Sequence, residues 1–190
     1  MSTANRDSIA ALYYATRDGQ SRRIAEHISR RLAETGIPGP AQDLAVVQPA
    51  SSDLAAAAVV VLVAAVRYGR HLPEANRFLG VYRSLHSPPP LALASVNLTA
   101  RKSAKTTVTS NVYLRKVIAR HHLAPAVAVA FAGCLDYQRY GWLDRWIIRF
   151  IMLLTRGPTN PNTCIEYTSW RAVDEFAARI VELMRRAGSS

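Results

Sequence analysis

The stretch of this sequence best equipped for chemistry is Thr16-Arg17-Asp18-Gly19-Gln20-Ser21. Hydroxyls stand at both ends and a glycine inside, and the stretch joins an apolar run to an amphipathic one. Ile9–Ala15 is apolar on both faces and reads as a buried parallel strand. Beyond the turn, Ile24, Ala25, Ile28 and Leu32 recur at helical spacing, with Arg22, Arg23, Glu26 and Arg30 between them. A helix is therefore expected there, ending near Gly36. A strand–turn–helix step aims unbonded backbone N–H groups and the positive end of the helix dipole at whatever occupies the turn. Thr16 and Ser21 can donate hydrogen bonds and Gly19 permits a tight turn, so a monoester phosphate suits this cradle. Taken alone, the turn is equally an ordinary capped helix start. It lacks the Gly-Lys-Ser/Thr ending of a Walker A loop and the G-x-G-x-x-G dinucleotide fingerprint.

Other reactive residue types give weaker signals. His27, His71, His86, His121 and His122 have no metal-ligand spacing with carboxylates, and His71 is the one worth testing as an acid or base. Cys134 and Cys164 form no C-x-x-C pair, so no metal is expected, and two isolated cysteines suit a reducing cytosol. Cys134 and Arg139 are one residue too close for a phosphate-cleaving cysteine loop. The sequence points to no catalytic side chain.

The elements that must position the turn alternate. A weak second strand is expected around Gln42–Val47, then a strong one over Ala57–Val66, and a helix from Pro73 to about Leu85. Leu91–Leu98 reads as a fourth strand, Thr99–Ser110 as a polar, basic loop, Val112–Arg120 as a helix and Ala126–Gly133 as a fifth strand. After an interruption, CIEY suggests a short strand, and a last helix begins near Ser169 with Val173, Phe176, Ile180, Val181 and Met184 on its buried side. Both-face-apolar strands alternating with helices give an α/β fold: a doubly wound, flavodoxin-like parallel sheet of five strands in the order 2-1-3-4-5. The 190 residues are read as a single domain with an insertion at about 135–163. In such a sheet ligands sit beyond the carboxyl ends of the strands, at the switch point, which is where Thr16–Ser21 falls.

Composition narrows the partners. The chain carries 24 Lys and Arg against 13 Asp and Glu, a net charge of +11. Asn97–Arg156 alone holds ten basic residues and two acids. A field of that sign attracts nucleic acid, an anionic membrane or an acidic small molecule, and it argues against an acidic electron carrier that docks on basic partners. No nucleic-acid module is recognisable, since the aromatic residues sit in an apolar helical run rather than on a sheet. The polar opening MSTANRDS has no leader character, and Trp146–Leu154 is too short and too charged to span a bilayer. In WLDRWIIRFIMLL, Arg145 and Arg149 share a helical face with Arg156, and Trp142 and Trp146 lie among aliphatic residues. Such a helix can lie in a membrane interface, roof a flat dicarboxylate substrate, or pack on the domain or on a second subunit.

ALYYATRDGQSRRIAEHI resembles the phosphate loop of flavodoxin-like FMN proteins. VRYGRH, SVNLTARK and LDYQRYGWLDRWIIRFIM are similar to one family, the quinone-dependent protoporphyrinogen IX dehydrogenases of bacterial haem synthesis. The resemblance runs from Ile9 to Met184; the first eight residues are an extension the pattern does not need. It implies non-covalent FMN, with Thr16, Arg17, Asp18, Gly19, Gln20 and Ser21 holding the phosphate. Val66, Arg67, Tyr68 and Gly69, with Val96, Asn97, Leu98, Thr99 and Ala100, would flank the isoalloxazine ring. Tyr68 would stack on the flavin or stand as a surface ring. Asn97 would bond the pyrimidine edge or its own backbone. The implied reaction oxidises protoporphyrinogen IX and passes electrons to a membrane quinone, menaquinone or ubiquinone, from the inner face of the cell membrane. Arg139, Trp142, Arg145, Trp146 and Arg149 would meet substrate or anionic lipid, and a homo-oligomer stays open. An electron-transfer flavodoxin or a general quinone reductase is the competing implication. The insertion is expected to be dispensable for folding and FMN binding but required for turnover, because the phosphate turn is expected on the other half of the sheet.

Overall fold

The computed structural model describes residues 9–136 and 164–188. Strand β1 (Ala10–Ala15) is buried along its whole length and lies between β2 (Gln42–Asp43) and β3 (Val59–Arg67). β5 (Leu91–Val96) pairs with β3, and β6 (Val127–Phe131) with β5, all parallel. The path β2-β1-β3-β5-β6 is the expected 2-1-3-4-5 order. A sixth, two-residue strand, β4 (Arg70–His71), folds back antiparallel on the end of β3.

The alternation of side chains along each strand divides the core in two. Tyr13, Val60, Leu62 and Leu93 face one side with Leu54, Phe78, Leu79 and Leu114, which come from helices α2 (Ser51–Ala56), α3 (Pro73–Arg83) and α4 (Val112–Arg120). Leu12, Val61, Val63 and Ala94 face the other, under Ile24, Ile28 and Leu32 of α1 (Gln20–Ala33) and Phe176 and Ile180 of α5 (Trp170–Gly188). Each such Leu, Ile or Phe contributes about 2 kcal/mol by leaving water. Both faces are covered, which is why β1, β3 and β5 are continuous apolar runs rather than alternating ones.

The structure departs from the sequence reading at element ends, for local reasons. β2 stops at Asp43 because that residue turns the chain: its Oδ1 accepts from Ala45 N at 2.9 Å and its carbonyl from Val46 N at 3.0 Å. β3 starts at Val59 rather than Ala57, because α2, which the sequence did not suggest, ends there with Ala57 N on the Leu54 carbonyl. Two short 3₁₀ turns, Leu98–Arg101 and Ser103–Lys105, occupy the expected loop. CIEY does contain a strand, β8 (Cys164–Glu166), but it pairs antiparallel with β7 (Cys134–Asp136) outside the main sheet. The insertion residues Arg139, Trp142, Arg145, Trp146 and Arg149 lie outside the described residues.

Candidate functional site

A cleft opens beyond the carboxyl ends of β1, β3, β5 and β6, where the order of the strands reverses. Thr16, Asp18, Gln20 and Ser21 line one end of it. Val66, Arg67, Tyr68 and Gly69, with Val96, Asn97, Leu98 and Thr99, line the rest. Three expected residues do not. Arg17 is exposed outside the cleft, Ala100 is buried in the core at 5% exposure, and Gly19 shapes the turn without lining it.

Gly19 takes φ 88°, a left-handed conformation that glycine adopts without strain, and its N–H donates to Thr16 Oγ1 at 3.0 Å. The Thr16 hydroxyl is thereby held as an acceptor, leaving its own proton for the cleft. Helix α1 starts at the next residue, and its early bond runs from Arg23 N to the Gly19 carbonyl, so the N–H groups of the first turn point out of the helix end. Ser21 is 1% exposed, and its Oγ has no hydrogen-bond partner among the described residues. A buried hydroxyl without a partner costs about 1–3 kcal/mol, so a group that supplies an acceptor here is favoured by that amount. A phosphate monoester matches this donor set: two hydroxyls and a helix N-terminus. Asp18 would repel such a dianion, but Arg67 Nη1 donates to its Oδ2 at 2.9 Å, which balances the charge and fastens the turn to the end of β3.

The opposite wall is built by a hairpin. Val66 pairs with His71 and Arg67 with Arg70, leaving Tyr68 and Gly69 as a two-residue turn with φ 50° and 74°. Positive φ at both central positions is the type I′ pattern, whose twist matches the strands. A tyrosine at the first of these positions is strained, and its ring stands 65% exposed at the cleft mouth with Arg67 5.3 Å from the ring centre.

Asn97 meets the local-backbone expectation in part, its Nδ2 donating to the Ser95 carbonyl at 3.3 Å, and goes beyond it. Its side chain is 4% exposed and fully engaged with the protein. Nδ2 donates to Ser95 Oγ at 3.1 Å, while Oδ1 accepts from Asn111 Nδ2 at 3.1 Å and from the Thr99 hydroxyl. Asn111 in turn caps α4, accepting from Tyr113 N and Leu114 N, both at 3.1 Å. His71, the candidate acid or base, does not line the cleft. It is 8% exposed with Nε2 2.9 Å from Ser95 Oγ, and burial, with a smaller contribution from His121, pushes its pKa down to about 4. It is a neutral structural histidine under the cleft at ordinary pH.

Five lining residues escaped the sequence reading: Ala65, Arg101, Tyr113, Gly133 and Cys134. Gly133 and Cys134 stand just past the carboxyl end of β6, where the switch-point rule directs attention. Arg101 belongs to SVNLTARK, one residue beyond the expected stretch. Tyr113 carried no signal. Cys134 is partly exposed rather than buried. The insertion's root is also closer to the turn than expected. Gln20 Nε2 donates to Glu166 Oε1 at 2.9 Å and to Thr168 Oγ1 at 2.8 Å, because α1 and α5 share one face of the sheet.

The fold and this cleft are those of a flavodoxin. The family model for the flavodoxin domain matches residues 11–162, and the chain belongs to that family. Oxidised flavodoxin 1 of Bacillus cereus shares the fold with a TM-score of 0.57 at 14% identity, covering 92% of this chain and 97% of that one. The rubredoxin oxygen:oxidoreductase of Desulfovibrio gigas does so with 0.58 at 10% identity, over 96% of this chain and 37% of that one. The sequence is 39% identical over 173 residues to the protoporphyrinogen IX dehydrogenase (quinone) of Leishmania major, covering 90% of this chain and 74% of that protein. It is 34% identical to the Escherichia coli K12 enzyme of the same name, covering 90% and 94%. Within the flavodoxins, the chain belongs to the protoporphyrinogen IX dehydrogenase (quinone) family.

Proposed function

We propose that this protein oxidises protoporphyrinogen IX to protoporphyrin IX with a quinone as acceptor, through an FMN held in the cleft. The observation that carries the cofactor assignment is Ser21: a buried hydroxyl with no partner among the described residues, in the first turn of α1 at the switch point of a flavodoxin sheet. The reaction comes from the relatives' shared name. Bound in this cleft, FMN would supply two-electron redox chemistry between the porphyrinogen and the quinone.

The chain's own residues bind and orient. Thr16, Ser21 and the N–H groups opening α1 hold the phosphate, and the Arg67–Asp18 pair keeps the nearby carboxylate neutralised. Val66, Val96 and Leu98 give an apolar wall that excludes water from the ring. Tyr68, exposed at the mouth, is placed to cover the ring's outer face. No side chain need act as nucleophile.

The acceptor, menaquinone or ubiquinone, resides in lipid. Among the described residues no helix is long and apolar enough to cross a membrane. The protein meets the membrane peripherally, at the inner face of the cell membrane. The insertion's Arg139, Trp142, Arg145, Trp146 and Arg149 and the exposed Lys102, Lys105, Arg115 and Lys116 provide attraction for anionic lipid.

Anaerobic mixing of the FMN-loaded protein with protoporphyrinogen IX and a soluble menaquinone analogue tests the proposal. The flavin absorbance bleaches on adding porphyrinogen and returns on adding quinone. Bound FMN that porphyrinogen leaves oxidised would instead make this an electron-transfer flavodoxin.

A further inference from the structure

Gln20 opens α1 from within the turn assigned to phosphate, yet its side chain points elsewhere. It is 7% exposed, and its amide is spent on the root of the β7–β8 hairpin. Nε2 donates to both Glu166 Oε1 and Thr168 Oγ1, and Oε1 accepts from Arg23 Nη1 at 3.0 Å. Arg23 also reaches Glu166 Oε2 at 3.2 Å, and its guanidinium carbon lies 5.5 Å from the centre of the Trp170 ring. The Thr168 hydroxyl continues the chain, donating to the Ala132 carbonyl at 2.8 Å. Tyr167 N bonds the Gly133 carbonyl at 3.2 Å, so the two legs of the hairpin are tied to each other as well. Those legs carry Gly133 and Cys134, which wall the cleft. The amide thus joins two parts of one site, the turn at 16–21 and the wall at 133–134, which are more than a hundred residues apart in sequence.

We propose that Gln20 is a positioning residue: its side chain clasps the hairpin root to the phosphate turn, so that a seated phosphate group and the docked hairpin stabilise each other. The inference rests on the FMN reading above. It differs from the sequence expectation for Gln20, which made it a phosphate ligand. Stabilisation of this kind is reciprocal: whatever the docked hairpin adds to cofactor affinity, the cofactor adds to hairpin docking. The charges suit a clasp, since Arg23 neutralises Glu166, which would otherwise set a bare carboxylate near the phosphate.

The test is a double-variant cycle on the apoprotein, titrated with FMN. Gln20→Ala is expected to weaken FMN binding about fivefold, the worth of one neutral hydrogen bond. Thr168→Val, a change outside the turn, should weaken it by a similar factor. The two together should be no worse than either alone, because both break one clasp. Thr168→Ser keeps the hydroxyl and restores affinity. Hydrogen exchange supplies a second readout: FMN slows exchange at the amides of Cys134–Asp136 and Cys164–Glu166 in the wild type, and less so in Gln20→Ala. Wild-type affinity in Thr168→Val, losses that multiply in the double variant, or FMN protection of the hairpin unchanged in Gln20→Ala would each overturn the clasp. Wild-type protein that binds no FMN overturns the cofactor reading instead, so the two failures are distinguishable.

Discussion

Ser21 and Asn97 are both buried polar residues on the wall of one cleft, and they are in opposite conditions. The Ser21 hydroxyl has no partner among the described residues, whereas the Asn97 amide is engaged at both ends. The first belongs to a surface completed by a ligand. The second belongs to a scaffold complete without one: the His71–Ser95–Asn97–Asn111 chain links the β4 hairpin, β5 and the cap of α4, and so sets the loops that line the cleft. The difference teaches that lining a site and binding in it are separate properties. An unsatisfied group is the one that reports a missing partner.

The comparison breaks most visibly at Gly19. A β-branched side chain at φ 88° cannot keep the turn, so Gly19→Val is expected to purify with no detectable flavin while its far-ultraviolet circular dichroism stays that of the wild type. A full flavin spectrum in that variant would remove the phosphate assignment.

On the scaffold side, the largest effect is titration of His71. Its folded pKa, about 4, lies below the 6.5 of an unfolded histidine, so the unfolded chain takes up the proton first. Stability is therefore full above about pH 6.5 and falls as pH drops towards 4, by up to about 3 kcal/mol from this residue. Urea unfolding between those pH values should be flatter in His71→Gln than in the wild type. Parallel curves would mean that the histidine charges in the folded state.

Asn97→Leu sharpens the contrast. It strips Ser95, Asn111 and Thr99 of a shared partner, and should lower apoprotein stability by about 2 kcal/mol in urea. Ser21→Ala gives the smallest and most diagnostic change. FMN affinity should fall about fivefold while apoprotein stability holds or rises, since an unpaired buried hydroxyl is removed. A loss of apoprotein stability would show that Ser21 already has a partner.

The fold was largely legible because fully buried parallel strands write themselves as apolar runs: VVVLVAAV and LALASV need no tertiary context to be read. The turn at Thr16–Ser21 was legible as a strand-to-helix step because a glycine and hydroxyls separate an apolar run from an amphipathic one. What escaped depends on pairing across sequence distance. Tyr68-Gly69 lacks the Asn-Gly or Asp-Gly of a usual type I′ turn, so the β3–β4 hairpin read as a loop. Nothing in the residue type told whether Asn97 or Gln20 would face ligand or protein. Beside near neighbours, Asn97 found Asn111, 14 residues on, and Gln20 found Glu166 and Thr168, 146 and 148 residues on. Gly133 and Cys134 became cleft walls because they stand just past the carboxyl end of β6, which β3 and β5 separate from β1 in the sheet.

β7 and β8 form a small two-stranded sheet of their own outside the main one. Asp136 pairs directly with Cys164, so the described chain on either side of positions 137–163 is held together at one rung of an antiparallel ladder. Chain spliced in at such a rung need not match the twist, order or spacing of the main sheet, because its ends are already held side by side.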